Sequence, residues 1–240
     1  MSSPPCLRPT RRTSPAGAPS NRPAVSGEPA SERRGLLLVI SSPSGAGKTS
    51  LARRLTADHQ GLELSVSSTT RAPRPGERDG REYRFIEPAE FERLAREGAF
   101  LEQAEVHEHR YGTPRAPVMA ALAEGRDVLF DIDWQGARAI AQRLRGDTVR
   151  VFVLPPSMTQ LAGRLHSRAQ DAEDVIARRL GRAKGEIARW EDYDYVILND
   201  DFETAYAQLE AIYRAERLKR VRNPWIGALA KMLIEESPST

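Results

Sequence analysis

Residues Leu36–Ile40 form an unbroken apolar run that leads straight into Ser42-Pro43-Ser44-Gly45-Ala46-Gly47-Lys48-Thr49. No other segment constrains the fold as strongly. An apolar run of this length reads as a strand buried on both faces, the environment of a parallel sheet. Leu51, Ala52 and Leu55 read as a helix after the loop. Small residues between strand and helix let backbone N–H groups close around phosphate oxygens, and the helix N-terminus adds positive potential. In such a loop Lys48 reaches the β- and γ-phosphates of a nucleotide, and the Thr49 hydroxyl ligates Mg2+. Ser42 stands where the pattern G-x-x-x-x-G-K-[ST] has its first glycine, a place serine can take if φ stays negative there. The alternative is a chance Gly/Ser turn. Composition argues against it: the 36 basic residues include four lysines, Lys48, Lys184, Lys219 and Lys231, so a lysine at this point marks a need for a compact ammonium.

The rest of the chain repeats the strand-then-helix alternation. A second short strand is expected to end at Val66, and residues 67–83, with Pro73, Pro75, Gly76 and Gly80, read as loop. Pro88 opens a helix carrying Phe91 and Leu94. Asp127–Ile132, Val149–Leu154 and Tyr195–Leu198 read as further buried strands, and the pattern is helical from Ala205 with a break at Pro224. The expected fold is therefore α/β, a parallel sheet flanked by helices on both faces. Residues 1–34 carry six arginines, two glutamates and seven prolines with almost no large apolar side chains, and are expected to be a disordered basic tail. With one cysteine, Cys6, an intrachain disulfide is impossible, and a cytoplasmic location is expected. The net charge of +3 gives no reason to expect a nucleic-acid partner, and no apolar run is long enough to suggest a membrane one. The histidines, His59, His107, His109 and His166, show no metal spacing, with His107 and His109 expected on one strand face; Arg214, Arg217, Lys219, Arg220 and Arg222 read as a solvated helix face.

Further motifs lie between the strands. Val66-Ser67-Ser68-Thr69-Thr70-Arg71-Ala72-Pro73-Arg74-Pro75-Gly76-Glu77 sets two arginines three apart on a Pro-stiffened loop. Tyr83, Phe100-Leu101-Glu102 and Tyr111-Gly112-Thr113 follow, and Asp131-Ile132-Asp133-Trp134-Gln135-Gly136 closes an apolar strand. Taken singly, each has a bland reading as a solvated loop charge, a half-buried tyrosine or a strand-edge carboxylate. Together, from about Leu36 to about Arg217, the chain resembles guanylate kinases, P-loop enzymes that move the γ-phosphoryl group of ATP to GMP or dGMP.

That resemblance implies particular roles. The loop Ser42, Pro43, Ser44, Gly45, Ala46, Gly47, Lys48 and Thr49 would bind ATP, with Asn199 lining the adenine pocket. Arg71, Arg74, Tyr83 and Tyr111 would hold the GMP phosphate; guanidinium forks and phenol hydroxyls suit that work. Ser67, Glu102, Thr113 and Asp133 would read guanine, whose N1–H and N2–H2 donors carboxylates accept. Mg2+ would be held by Thr49 and, through water, by Asp131. Arg164, Arg168 and Arg179, in a mobile helical lid, would join Lys48 and Asp131 in catalysis by clamping the transferring phosphates. Where the family has Gly-Arg-Gly, this chain has Ser167-Arg168-Ala169. The implied division is a core of 35–66, 125–157 and 190–217, an inserted GMP-binding subdomain of 67–124, a lid of 158–189 and a C-terminal helical extension of 218–240. Two rivals remain at this point. A binding module that has lost catalysis would be expected to lack Lys48 or the two loop arginines, which stand. A GTP-hydrolysing switch fits Asp133-Trp134-Gln135-Gly136 as D-x-x-G but would need Asn-Lys-x-Asp, and none of the four lysines follows an asparagine.

Overall fold

The computed structural model describes residues 33–74, 76–106, 108–168 and 173–236. Strand β1 (Leu37–Ser41) sits at the centre of a five-stranded sheet with β2 (Leu62–Leu64), β7 (Asp127–Asp131), β8 (Thr148–Leu154) and β9 (Tyr195–Leu198), in the order β2-β7-β1-β8-β9 and parallel throughout. The apolar run is continuous because β1 is buried on both faces. Leu36, Leu38 and Ile40 pack on one side against Leu51 and Leu55 of α1 (Lys48–Asp58) and Leu209 and Tyr213 of α7 (Phe202–Arg217). Leu37 and Val39 pack on the other against Val118 and Leu122 of α3 (Arg115–Ala123) and Ile140 of α4 (Trp134–Arg143). The period-2 alternation of a strand distributes these residues between two cores. Among the described residues no helix is long and apolar enough to cross a membrane.

A second, smaller sheet has the order β4-β3-β6-β5, from β3 (Ser68–Thr69), β4 (Arg84–Phe85), β5 (Phe100–Val106) and β6 (His109–Pro114). It corrects two expectations. The stretch 67–83 is not all loop, because Ser68 and Thr69 pair with both β4 and β6. The second strand also ends at Leu64 rather than Val66. Helix α2 (Pro88–Arg96) opens at Pro88 as expected, and its Phe91 stacks on Phe100 with ring centroids 4.6 Å apart. Helix α3, inside the segment 67–124, packs in the main core rather than on the small sheet. His109 opens β6 across a hairpin from Val106, the last residue of β5; His107 lies outside the described residues. Helices α5 (Met158–Arg168) and α6 (Glu173–Ile187) pack together through Leu161, Leu165, Ile176 and Ala183. After α7 comes a single 3-10 turn at Arg220–Arg222, then α8 (Trp225–Glu235), none of whose residues is buried.

The edge of the main sheet away from the phosphate loop is tied by ions. Asp127, fully buried, accepts from the Leu36 backbone N–H at 2.9 Å, the Tyr213 hydroxyl at 2.9 Å and Arg33 at 2.8 Å, and pairs with Arg217 at 3.1 Å. Arg34 forks onto Asp147, and Arg222, 3% exposed, donates to the carbonyls of Glu216 and Asp147. Two expectations fall here. Arg33 and Arg34 belong to the fold, so it includes at least the two residues before Gly35. Arg217 and Arg222 are not a solvated face but counterions to buried carboxylates, which would otherwise be costly to bury. The cause is long-range pairing that helical periodicity does not report. Residues 1–32 lie outside the described residues. Replacing Arg33 with Ala should remove a charge-assisted bond to a buried carboxylate and lower unfolding free energy by about 1.5–3 kcal/mol. Urea denaturation measures the loss, and turnover should not change, because this edge is remote from the phosphate loop.

Candidate active site

The phosphate loop leaves β1 at Ser41 and returns as α1 at Lys48. Gly45 and Gly47 sit at φ 93° and 100°, left-handed values that a side chain would strain. Neither has room for a Cβ. At Gly45 it would lie 3.1–3.2 Å from Leu165 and Leu161 of α5, and at Gly47 2.3 Å from the Asn199 amide nitrogen. Ser42 is not among the residues with positive φ, which is why serine serves where the pattern has glycine. The register of β1 with β7 sets Ile40 opposite Asp131, so the loop and the Asp131-Ile132-Asp133 turn leave adjacent strands side by side. Lys48 Nζ lies 2.7 Å from Asp131 Oδ1 and donates to the Ile132 carbonyl at 3.0 Å. Thr49, exposed, opens the helix beside them.

The small sheet carries a polar pocket facing that turn. Glu102 and Thr113 are cross-strand partners on β5 and β6, and both are buried. Thr113 Oγ1 donates to Glu102 Oε1 at 2.6 Å; its one proton being used, Ser67 Oγ donates to Thr113 at 3.3 Å. Asp133 caps α4, accepting from the Gly136 backbone N–H at 2.9 Å. Burial pushes the Glu102 carboxyl up; the Thr113 hydrogen bond opposes this, and the nearby Asp133 charge adds to it. Ser67, Glu102, Thr113 and Asp133 therefore converge as the sequence implied.

Beside them, Tyr111 and Tyr83 meet edge-to-face with ring centroids 5.7 Å apart, and the Arg71 guanidinium lies over Tyr83 at 5.5 Å. Arg71 donates to both oxygens of Glu77 at 2.9 Å, and Glu77 also accepts from the Arg74 backbone N–H at 2.7 Å. Burial works against the Arg71 charge, but Glu77 and the Tyr111 hydroxyl outweigh it and its pKa is raised. The Arg74 side chain is exposed on the same loop. Glu77 stands in the quoted motif, but its part in holding Arg71 is visible only in three dimensions.

On the other side of the phosphate loop, Arg164 of α5 donates to the carbonyls of Ala46 at 3.4 Å and Asn199 at 3.0 Å. Asn199, 4% exposed, donates its amide to Ala46 at 2.6 Å, so its side chain braces the loop from behind. It does not cap α7; Asp201 does, accepting from the Thr204 N–H at 2.8 Å. Gly47, Ser50, Arg164, Asn199, Asp200 and Phe202 line a cleft of about 330 Å3 here. A larger cleft, about 370 Å3, opens at the other end of the sheet beside Thr148 and Tyr195 and contains none of the motif residues. Arg168 ends α5, its side chain outside the described atoms; Arg179 lies half-buried on α6. Ser167 continues α5 and bonds back to the Arg164 carbonyl at 3.1 Å. Ala169 lies outside the described residues. Glu186, near the end of α6, had no sequence signal: burial raises its pKa, while the charge of Lys48 and the Ser44 backbone N–H lower it.

A phosphate loop at the C-terminal end of a parallel sheet, facing an arginine–tyrosine cradle and a carboxylate pocket, defines a P-loop nucleotide kinase. Comparison with known proteins narrows the class. The sequence profile of the guanylate kinase family matches residues 34–216. The chain is 58% identical over 203 residues to the guanylate kinase of Caulobacter vibrioides, spanning 85% of this chain and 95% of that one. To the guanylate kinase of Rhizobium etli it is 53% identical over 218 residues, spanning 91% and 99%. The crystal structure of guanylate kinase from Anaplasma phagocytophilum superposes with a TM-score of 0.70 at 36% identity, covering 87% of this chain and 98% of that one. The chain belongs to the guanylate kinase family. It is a phosphotransferase, and the reaction of that family moves a phosphoryl group from ATP to GMP.

The raised pKa of Glu102 has a consequence for binding. A carboxyl pushed up loses its charge at a higher pH than an ordinary glutamate, near 4.3. If Glu102 accepts from guanine, as the family resemblance implies, GMP affinity should fall early as pH drops, because guanine's donors then lose an ionised acceptor. The nucleotide phosphate itself titrates near pH 6, so the comparison is with Glu102→Gln. Calorimetric titration should show the wild-type advantage over that variant shrinking at a midpoint above about 4.3. A ratio that stays constant across the whole acid range would count against Glu102 as a guanine acceptor.

Proposed function

We propose that the cleft beside Gly47 and Asn199 and the polar cluster of Ser67, Glu102, Thr113 and Asp133 are the donor and acceptor sites of ATP:GMP phosphotransfer, with the residues acting as follows. Ser42 to Thr49 wrap the ATP phosphates with backbone N–H groups. Asn199 lines the donor cleft mainly by bracing Ala46 and Gly47. Arg71, Arg74, Tyr83 and Tyr111 hold the GMP phosphate, and Ser67, Glu102, Thr113 and Asp133 read guanine or deoxyguanosine monophosphate alike, since none of them is assigned to the sugar. Lys48, with Arg164, Arg168 and Arg179 from a lid of 158–189, neutralises charge building on the phosphoryl group in flight. Closure of that lid, with 67–124 as the acceptor part, excludes water. The observation that carries the reading is the Lys48–Asp131 contact at adjacent strand ends, with the hydrogen-bonded Ser67, Thr113 and Glu102 lying near Asp133, two residues further on.

Mg2+ fits these residues. Thr49 and Asp131 offer hard oxygens at neighbouring ends of α1 and β7, and Asp131 is partly exposed. Mg2+ is usually held by one or two such groups together with substrate phosphates and water. When bound it would offset the charge of the substrate phosphates. The protein is placed in the cytoplasm, where both nucleotides are found, and neither nucleic acid nor membrane is a partner in this reading.

Two variants test the division of labour. Lys48→Ala should lower turnover by about 10²–10³-fold, the cost of removing one transition-state donor, with GMP binding nearly unchanged. Arg71→Ala should weaken GMP binding by the loss of charge-assisted bonds worth about 1.5–3 kcal/mol. Steady-state kinetics beside GMP calorimetry reads both. Near-normal turnover in Lys48→Ala would mean the phosphate loop is not the donor site. Acceptor choice is a separate check: a site of buried polar pairs should disfavour AMP by about 10⁴-fold in kcat/KM, and comparable AMP turnover would overturn the guanine assignment.

A further inference from the structure

The pairing of β5 with β6 is regular except at one point. Phe100 faces Pro114 and Glu102 faces Thr113, which leaves Leu101 as an extra residue, a bulge next to the guanine pocket. A bulge loses ladder hydrogen bonds and bends its strand, and it re-aims the side chain that follows. Here Leu101 packs into the core with Val118, Ala137 and Ile140, while Glu102 turns over the first turn of α4. Its Oε2 lies 3.2 Å from where a Cβ on Gly136 would stand, so a small shift of the strand would drive it into the helix or out of the pocket. The carbonyls of Phe100 and Leu101, at the bulge, both accept from one side chain, Arg143 at the end of α4, with Phe100 at 3.1 Å.

We propose that Arg143 is a positioning residue for base recognition: its guanidinium holds the β5 bulge that aims Glu102 at guanine. The inference rests on the reading of Glu102 as a guanine acceptor. Helix α4 then works at both ends, with Asp133 capping its start and Arg143 locking the strand that carries the partner carboxylate. The electrostatics run the same way. The groups acting on Glu102 are Thr113 on β6, Asp133 at the start of α4 and Arg143 at its end. Burial and Asp133 push the carboxyl up, while the Thr113 hydrogen bond and the Arg143 charge pull it down. Arg143 thus aims the carboxylate and favours its ionised form.

The test compares Arg143→Met, Arg143→Gln, Arg143→Lys and Glu102→Gln in steady-state kinetics across pH, with urea denaturation alongside. Arg143→Met should raise the GMP KM at least tenfold, the equivalent of about 1.4 kcal/mol. The ATP KM and kcat at saturating GMP should stay within about twofold, since neither the phosphate loop nor Lys48 is touched. The acid limb of kcat/KM for GMP should move to higher pH. Arg143→Lys keeps charge and donor and should restore both readouts. Arg143→Gln keeps a donor but not the charge, so its acid limb should shift; it decides the matter if the Met variant fails to fold. An unchanged GMP KM and acid limb in the Met variant, or an unchanged limb in Gln if Met is unfolded, overturns the role of Arg143 when Glu102→Gln still raises the GMP KM. If Glu102→Gln leaves that KM unchanged, the guanine reading itself fails.

Discussion

The catalytic end of the molecule depends on one strand pairing. Parallel registry of β1 with β7 puts Ile40 opposite Asp131, and the chains leaving those two strands become the phosphate loop and the Asp131-Ile132-Asp133 turn. From that register follow the Lys48–Asp131 contact and the hold of Lys48 on the Ile132 carbonyl. So does the placing of Asp133 one residue further on, at the cap of α4. A parallel sheet delivers the C-terminal ends of neighbouring strands to one edge with the following helix N-termini beside them, which is where anionic ligands bind. Burial of β1 on both faces makes that register costly to disturb, because Leu36 to Ile40 serve two cores at once.

Around this edge the protein answers charge with charge. Arg71 is held between Glu77 and the Tyr83 ring, Arg164 is tied to the loop carbonyls, and Glu186 lies within the influence of Lys48 and the Ser44 N–H. The groups proposed to bind phosphate are therefore oriented by their own network, so less ordering would be left for the substrate to supply. At the opposite edge, Asp127 and Glu216 take Arg33, Arg217, Lys219 and Arg222 as counterions. The two edges use the same arginine-rich composition for different ends: counterions to buried carboxylates in one, the proposed cradle for phosphate in the other.

The site was legible in the sequence where its chemistry is local. Gly45, Gly47, Lys48 and Thr49 are set by the backbone demands of one turn, and Asp133 follows an apolar strand directly. The four residues proposed to read guanine, Ser67, Glu102, Thr113 and Asp133, come from separate segments, and they were recognisable because their motifs occur in a known order. Where a role depends on what lies across space, the sequence was mute or misleading. Arg217 and Arg222 sit in a run that reads as solvated but face buried carboxylates, and nothing in the sequence shows that the Asn199 amide bonds the Ala46 carbonyl of the phosphate loop. Ser68 and Thr69 look like loop because a two-residue strand has no periodicity to read.

The sequence alone determined the parallel α/β architecture, the phosphate loop and the family. These rest on the hydrophobic period of each segment and on glycines whose positive φ no other residue supplies cheaply. The tertiary structure decided the rest: where β2 ends, that Arg33 pairs with Asp127, which carboxylate holds Arg71, and how Arg143 grips the bulge before Glu102. Those are contacts between residues far apart in the chain or between a side chain and a backbone carbonyl. Neither leaves a pattern in composition or spacing, because a carbonyl is the same at every position and a long-range partner is chosen by packing.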